Sequence, residues 1–178
     1  MRHARSYSIW LIPPKGNLQI RLSHYISELA DIWNGPTFVP HVTLVGGLPG
    51  DETDLHARFE KVVFNLRPFV IRLKELRQTE EFFRSFYIRV DKSRDLMLSR
   101  QISGRYFGLE DNPFNPHLSL YYGDVSTEEK TNYLKRIAFS EDEFVANKLY
   151  FVHNNEEDCN WTVLDERFLR AKKLPREI

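Results

Sequence analysis

Two short stretches of the chain carry one chemistry-bearing pattern. FVPHVTL (residues 38–44) and NPHLSLYY (residues 115–122) each place a proline before a histidine, then an apolar residue, a hydroxyl residue and a leucine. In an extended strand, side chains two apart share a face. His41 and Thr43 therefore project together, as do His117 and Ser119, while Val42, Leu44, Leu118 and Leu120 turn to the opposite layer. Imidazole titrates near neutrality, so a pair can supply a base and an acid, and hydroxyls can donate to the non-bridging oxygens of a phosphodiester. Two such strands facing one phosphate hold the parts of an in-line displacement. One histidine takes a proton from water and the other protonates the departing oxygen.

Either motif alone reads as a strand histidine satisfied by its surroundings; the duplication shifts the weight to a shared site. A zinc centre is the competing use of the pair, but no third protein ligand is evident. A strained cyclic phosphate opens without a metal, and the sequence has no acidic cluster with magnesium-like ligands. The expectation is a site with no metal and no cofactor. Pro40 and Pro116 cannot donate to a sheet ladder, so they suit a strand start or a bulge.

Trp10, Phe82, Phe83, Tyr121 and Tyr122 are candidates to line an apolar cleft that stacks a base, with core packing the alternative for each. Tyr122 is the strongest of them for the site. Positions 117, 119 and 121 share one face, and Tyr122 stands at the strand end before Gly123, where a sharp turn can bring the phenol back to the phosphate. His3, His24, His56 and His153 read as surface or cap residues, and Cys159 as an inert thiol.

The elements that must position these residues follow from periodicity and breakers. Ser6–Ile12 alternates as a strand, and Leu18, Leu22, Tyr25, Ile26, Leu29 and Trp33 mark one helix face that Asn34-Gly35-Pro36 ends. The first motif strand follows, then a helix from Gly50 to Arg67-Pro68 and a strand over Phe69–Leu76. The order then repeats: a strand over Arg84–Val90, a helix capped by Ser93, the second motif strand, a helix after Ser126 carrying Tyr133, Leu134, Ile137 and Ala138, and a strand over Phe144–Val152. Trp161–Phe168 adds a last strand, and AKKLPREI reads as a solvated tail. With Ile9 set against Ile88, the motif histidines follow after 32 and 29 residues, the mark of an internal duplication. The spacing predicts an α+β fold of residues 1–178 as a single two-lobed domain. Two mostly antiparallel sheets would flank a central cleft, with helices on the outer faces and a pseudo-twofold axis.

Bulk properties bound the ligand. Lys plus Arg number 25 against 25 Asp plus Glu, giving a net charge of zero, where a binder of long nucleic acid carries a basic excess. A small anionic nucleotide is the better fit. The single cysteine excludes a disulfide framework and agrees with a reducing, cytoplasmic setting, and the chain is expected to be a monomer. The acid-poor stretch Met1–Ser27 shares its composition with transit peptides, but its apolar run Ile9–Ile12 is too short for a signal core or a membrane span and ends at Pro13-Pro14.

With both tetrads in hand, His41-Val42-Thr43-Leu44 and His117-Leu118-Ser119-Leu120, the sequence resembles the two-histidine (2H) phosphoesterases. SIWLIP, GPTFVPHVTL, the Phe82-Phe83 pair and PHLSLYYG are similar, in order, to the plant and fungal cyclic phosphodiesterase branch. The resemblance implies hydrolysis of ADP-ribose 1″,2″-cyclic phosphate to the 1″-phosphate and of nucleoside 2′,3′-cyclic phosphates to 2′-phosphates. It implies His41 as general acid, His117 as the base that activates water, and Thr43, Ser119 and Tyr122 on the phosphate, with the two histidine roles open to exchange. The lone cysteine departs from any disulfide-controlled lid in relatives. Two alternatives stand beside this reading: an RNA-end cyclic phosphodiesterase using Arg72, Lys74, Arg77, Arg84 and Arg89 as a basic path, and a non-catalytic nucleotide-binding module.

Overall fold

A computed structural model of the chain describes residues 6–155 and 160–170. His3, Cys159 and the tail over 171–178 lie outside the described residues. The elements run β1 (Ser6–Leu11), α1 (Asn17–Trp33), β2 (Val42–Pro49), α2 (Glu52–Asn65), β3 (Phe69–Gln78), β4 (Phe86–Val90), α3 (Arg94–Phe107), β5 (His117–Tyr121), α4 (Thr127–Leu134), β6 (Asp142–Ala146), β7 (Lys148–Asn155) and β8 (Asn160–Phe168). The helices start where short polar side chains can meet free N–H groups. Asp51 accepts from the amides of Thr53 and Asp54, Ser93 from that of Leu96, and Ser126 from that of Glu129. Helix α4 is shorter than the periodicity predicts and stops at Leu134, before Ile137 and Ala138.

All eight strands join in one antiparallel sheet, ordered β6-β3-β4-β5-β2-β1-β7-β8. Its halves, β6-β3-β4-β5 and β2-β1-β7-β8, meet at one bridge, Val42 opposite Leu118. The expected pair of sheets is thus two four-stranded halves of one sheet. The expected strand Phe144–Val152 also divides, because β6 pairs with β3 in one half and β7 with β1 in the other. Asn147 alone separates two strands that lie first and seventh in the sheet order. One residue spans only about 3.5 Å, so the sheet must curl until those strands adjoin.

The two halves repeat each other in register. Trp10 faces Thr43 and Leu11 faces Val42, as Tyr87 faces Ser119 and Ile88 faces Leu118. Ile88 therefore matches Leu11, two places from the Ile9 of the sequence alignment. Each motif strand also bulges at the last position of its tetrad. Ile9 pairs with Val45 and Trp10 with Thr43, leaving Leu44 over; Phe86 pairs with Tyr121 and Tyr87 with Ser119, leaving Leu120 over.

One face of the sheet packs on helices. Val42, Leu44, Leu118 and Leu120 join Leu22, Ile26 and Leu29 of α1, Leu55, Phe59 and Val62 of α2, and Leu96 of α3 in one buried cluster. Each such side chain stabilises the fold by roughly 1.5–3 kcal/mol. The opposite face carries the histidines.

Candidate active site

The bridge between Val42 and Leu118 fixes the centre of the site. Carried one step each way, the antiparallel register sets Thr43 opposite His117 and His41 opposite Ser119, all on the face away from the core. The structure thus brings the two predicted pairs to adjacent positions across the seam. The electrostatics agree: the neighbouring His117 helps to hold down the pKa of His41.

Both imidazoles are anchored alike. His41 Nδ1 lies 2.7 Å from the Val39 carbonyl oxygen and His117 Nδ1 lies 2.8 Å from that of Asn115. A carbonyl only accepts, so Nδ1 carries the proton in both neutral rings and Nε2 keeps its lone pair. The prolines account for this geometry. Each stands between a histidine and its acceptor, and a residue before proline is restricted to extended backbone, which fixes the direction of its carbonyl. Both prolines sit just before their strands, whose ladders begin at Val42 and His117, while the bulges fall at the tetrads' far ends.

The surroundings of the two rings differ. His41 is 6% exposed and stacks on Trp10 with ring centroids 3.5 Å apart and planes 8° from parallel, while Phe38 meets it edge-on at 6.3 Å. Burial in that apolar sleeve, and then the neighbouring His117, pull its pKa down from 6.5 to about 4. His117 is only half-buried, with Tyr87 edge-on at 5.6 Å. Desolvation lowers its pKa too; Arg84 adds to the lowering and Glu81 opposes it.

Ser119 is buried and its hydroxyl donates to the Phe83 carbonyl at 3.1 Å. To donate to a ligand it must turn from that carbonyl. Thr43 is half-exposed beside His117. Tyr122 reaches the histidine face by a route that alternation from His117 does not show. The bulge at Leu120 shifts the parity of β5, so Tyr121 turns to the core, where its hydroxyl donates to the Trp33 carbonyl at 2.8 Å. Tyr122 falls on the other face, stacked on Phe38 at 4.0 Å and edge-on to Phe83 and Trp161 at 5.5 Å each. Tyr121 is therefore not a cleft residue, and Gly123 serves Tyr121 instead: at φ +145° a Cβ there would lie 2.6 Å from the Tyr121 hydroxyl.

Trp10, at 3% exposure, forms a wall behind His41 and offers no open stacking surface. Phe82 and Phe83, at 41% and 42%, stand open on a 3-10 turn, residues Phe82–Arg84, at the rim. Sequence reasoning did not single out Phe38, Tyr87 and Trp161; pairing across the sheet places Tyr87 and Trp161, and the irregular stretch between α1 and β2 carries Phe38. The proposed basic path is paired throughout: Arg72 with Glu143, Lys74 with Glu141, Arg77 and Arg89 with Glu75, and Arg84 with Glu81. Among the described residues, one trio has metal-ligand spacing, His56, Glu60 and Asp165, with ligand atoms within 4.8 Å of one another. It lies on the helix side of the sheet, His56 against Phe59 and Phe151, and Arg167 already pairs with both carboxylates.

A curled antiparallel sheet with a histidine and a hydroxyl from each half at its seam defines a two-histidine phosphoesterase. A family model described as "Cyclic phosphodiesterase-like protein" matches residues 5–167, and the chain belongs to that family, as a phosphodiesterase enzyme. It is 25% identical over 127 residues to the cyclic phosphodiesterase of Arabidopsis thaliana, covering 71% of this chain and 70% of that one. Among solved structures, Escherichia coli LigT complexed with NADP+ shares the fold at a TM-score of 0.63 and 12% identity, over 94% of this chain and 99% of that one. LigT complexed with 3′-AMP aligns at 0.64 and 11% identity, over 95% and 100%. Among the described residues no helix is long and apolar enough to cross a membrane.

Proposed function

We propose that the chain hydrolyses ADP-ribose 1″,2″-cyclic phosphate and nucleoside 2′,3′-cyclic phosphates to the 1″-phosphate and 2′-phosphate, by general acid-base catalysis without a metal. The observation that carries this reading is the matched anchoring of two imidazoles, each with its Nδ1 on a carbonyl and its Nε2 left to act. A base must be reachable by water, and His117 is the more open ring. Its Nε2 takes a proton from water as the water oxygen attacks phosphorus. The bond from phosphorus to the 3′ oxygen breaks, and protonated His41 gives its Nε2 proton to that oxygen. Thr43 and Ser119 donate to the non-bridging oxygens, where charge builds up, and Tyr122 closes the aromatic side. Proton exchange with solvent then restores the starting state.

The RNA-end alternative gains little from its proposed path, since each of the five cations has a carboxylate partner. Incubation with nucleoside 2′,3′-cyclic phosphates and the cyclic ADP-ribose phosphate in EDTA, with products read by phosphorus NMR, tests the proposal. Turnover to 2′-phosphates is expected from the wild type, and His41→Ala or His117→Ala is expected to lose at least about a hundredfold with the fold intact. Binding without product would favour the non-catalytic module and overturn the reading.

A further inference from the structure

The seam between the halves is asymmetric where β2 and β5 part. Tyr122 and Gly46 hold equivalent places, each three positions beyond its tetrad's hydroxyl residue. Tyr122 covers the His41 side with an aromatic ring; on the His117 side a glycine stands, packed so that a Cβ there would meet Thr43 Cγ2 at 3.0 Å and Ser8 Oγ at 3.5 Å. The strands share a single bridge, so they diverge there, and a pocket of about 320 Å³ opens between them. Thr43 and His117 line it, together with Phe114 and Asn112 from the loop between α3 and β5.

Two arginines line this pocket and no carboxylate does. Arg100, from α3, lies over the Phe114 ring at 5.4 Å, and its Nη2 donates to the Leu109 carbonyl at 3.2 Å. Its Nη1 is buried without a partner, and among the described residues no carboxylate ion-pairs with it. Arg84 gives one nitrogen to Glu81, which lies outside the pocket lining, and its Nε is likewise buried without a partner. A small shift of either side chain would bring these buried nitrogens to the pocket, and a pair of guanidinium groups meets the needs of a phosphate group, which accepts several hydrogen bonds at once.

We propose that this pocket is an anion subsite that takes a second phosphate of the substrate, next to the diester held between the tetrads. The inference rests on the tetrads being the diester site. The pocket would then hold the diphosphate that the proposed ADP-ribose substrate carries and a bare nucleoside cyclic phosphate lacks, and Arg100 and Arg84 would set the preference between the two.

The test compares kcat/KM for adenosine 2′,3′-cyclic phosphate with and without a 5′-phosphate. The wild type is expected to prefer the 5′-phosphorylated substrate by about tenfold or more. Arg100→Gln and Arg84→Gln should each shrink that ratio to within about threefold, chiefly through KM. Arg100→Lys, which keeps the charge, should retain part of it. Equal use of the two substrates by the wild type, or an unchanged ratio in both Gln variants, overturns the subsite. Should neither substrate be turned over, the tetrad reading fails on its own. Calorimetric titration with inorganic pyrophosphate then still decides the subsite: binding by the wild type that is lost in a folded Arg100→Gln supports it, and no binding by the wild type overturns it.

Discussion

Trp10 and Tyr87 occupy the same place in the two halves of the sheet, Trp10 across from Thr43 and Tyr87 across from Ser119. Each packs on the histidine of its own half, Trp10 face to face and Tyr87 edge-on. The duplicated frame thus presents two identically anchored imidazoles, and the aromatic beside each makes them unlike. A stacked, sealed ring resists protonation more than a half-open one, so the proposed acid, His41, depends on a bound phosphate anion to favour its imidazolium.

Burial depresses both imidazoles below the usual histidine range. The acid needs its proton and the base must lack one, so kcat/KM should follow a bell whose alkaline limb falls below pH 6.5. A bound phosphate anion favours imidazolium and lifts both groups. The kcat profile should therefore lie to the alkaline side of the kcat/KM profile; coincident profiles would contradict this account.

His41 also ties stability to pH. Its folded pKa of about 4 lies below the 6.5 of an ordinary histidine, so between these values the unfolded chain binds more protons. The contribution is fully present above pH 6.5 and is lost as pH falls towards 4, on the order of 3 kcal/mol across the window. Urea unfolding between pH 7 and pH 4 should show a shallower loss in His41→Asn than in the wild type. Parallel curves for the two proteins would refute it.

The two hydroxyls should separate in a stability assay, although the proposed mechanism puts both on the phosphate. Ser119 is buried and bonded to the Phe83 carbonyl, so Ser119→Ala leaves that acceptor unmet and costs about 1 kcal/mol of stability or more. Thr43 is half-exposed, and Thr43→Ser, which keeps the hydroxyl, should spare activity. Thr43→Ala should lower kcat by about tenfold or more with a change within about 0.5 kcal/mol in stability. Chemical denaturation alongside steady-state kinetics reads both.

The tetrads, their shared face and the helices behind them were legible in the sequence because periodicity of two and of 3.6 is local. What escaped is set by partners distant in the chain. Asn147 carries no strong breaker signal, so β6 and β7 read as one strand although they pair with β3 and β1 on opposite sides of the sheet. The bulge at Leu120 appears only in the register against β4, and with it goes the exchange of faces between Tyr121 and Tyr122. Arg100 belongs to no sequence motif that would single it out; the loop from Leu109 to Asn115, which folds beside it, is set by tertiary packing.

Tyr121 offers the last test, one of the frame and not of the chemistry. Its ring lies against two glycines, and a Cβ on Gly35 would stand 2.3 Å from its Cε2, closer than any real contact. Gly35→Ala must displace a buried ring whose hydroxyl is bonded to the Trp33 carbonyl, so a loss of about 1–3 kcal/mol is expected. The displaced ring begins the segment that carries Tyr122, so activity should fall with stability. Adding Tyr121→Leu to Gly35→Ala removes the clash, and the double variant should be more stable than the sum of the single losses. Thermal unfolding of the four proteins measures that coupling, and strict additivity would mean that the ring does not occupy this slot.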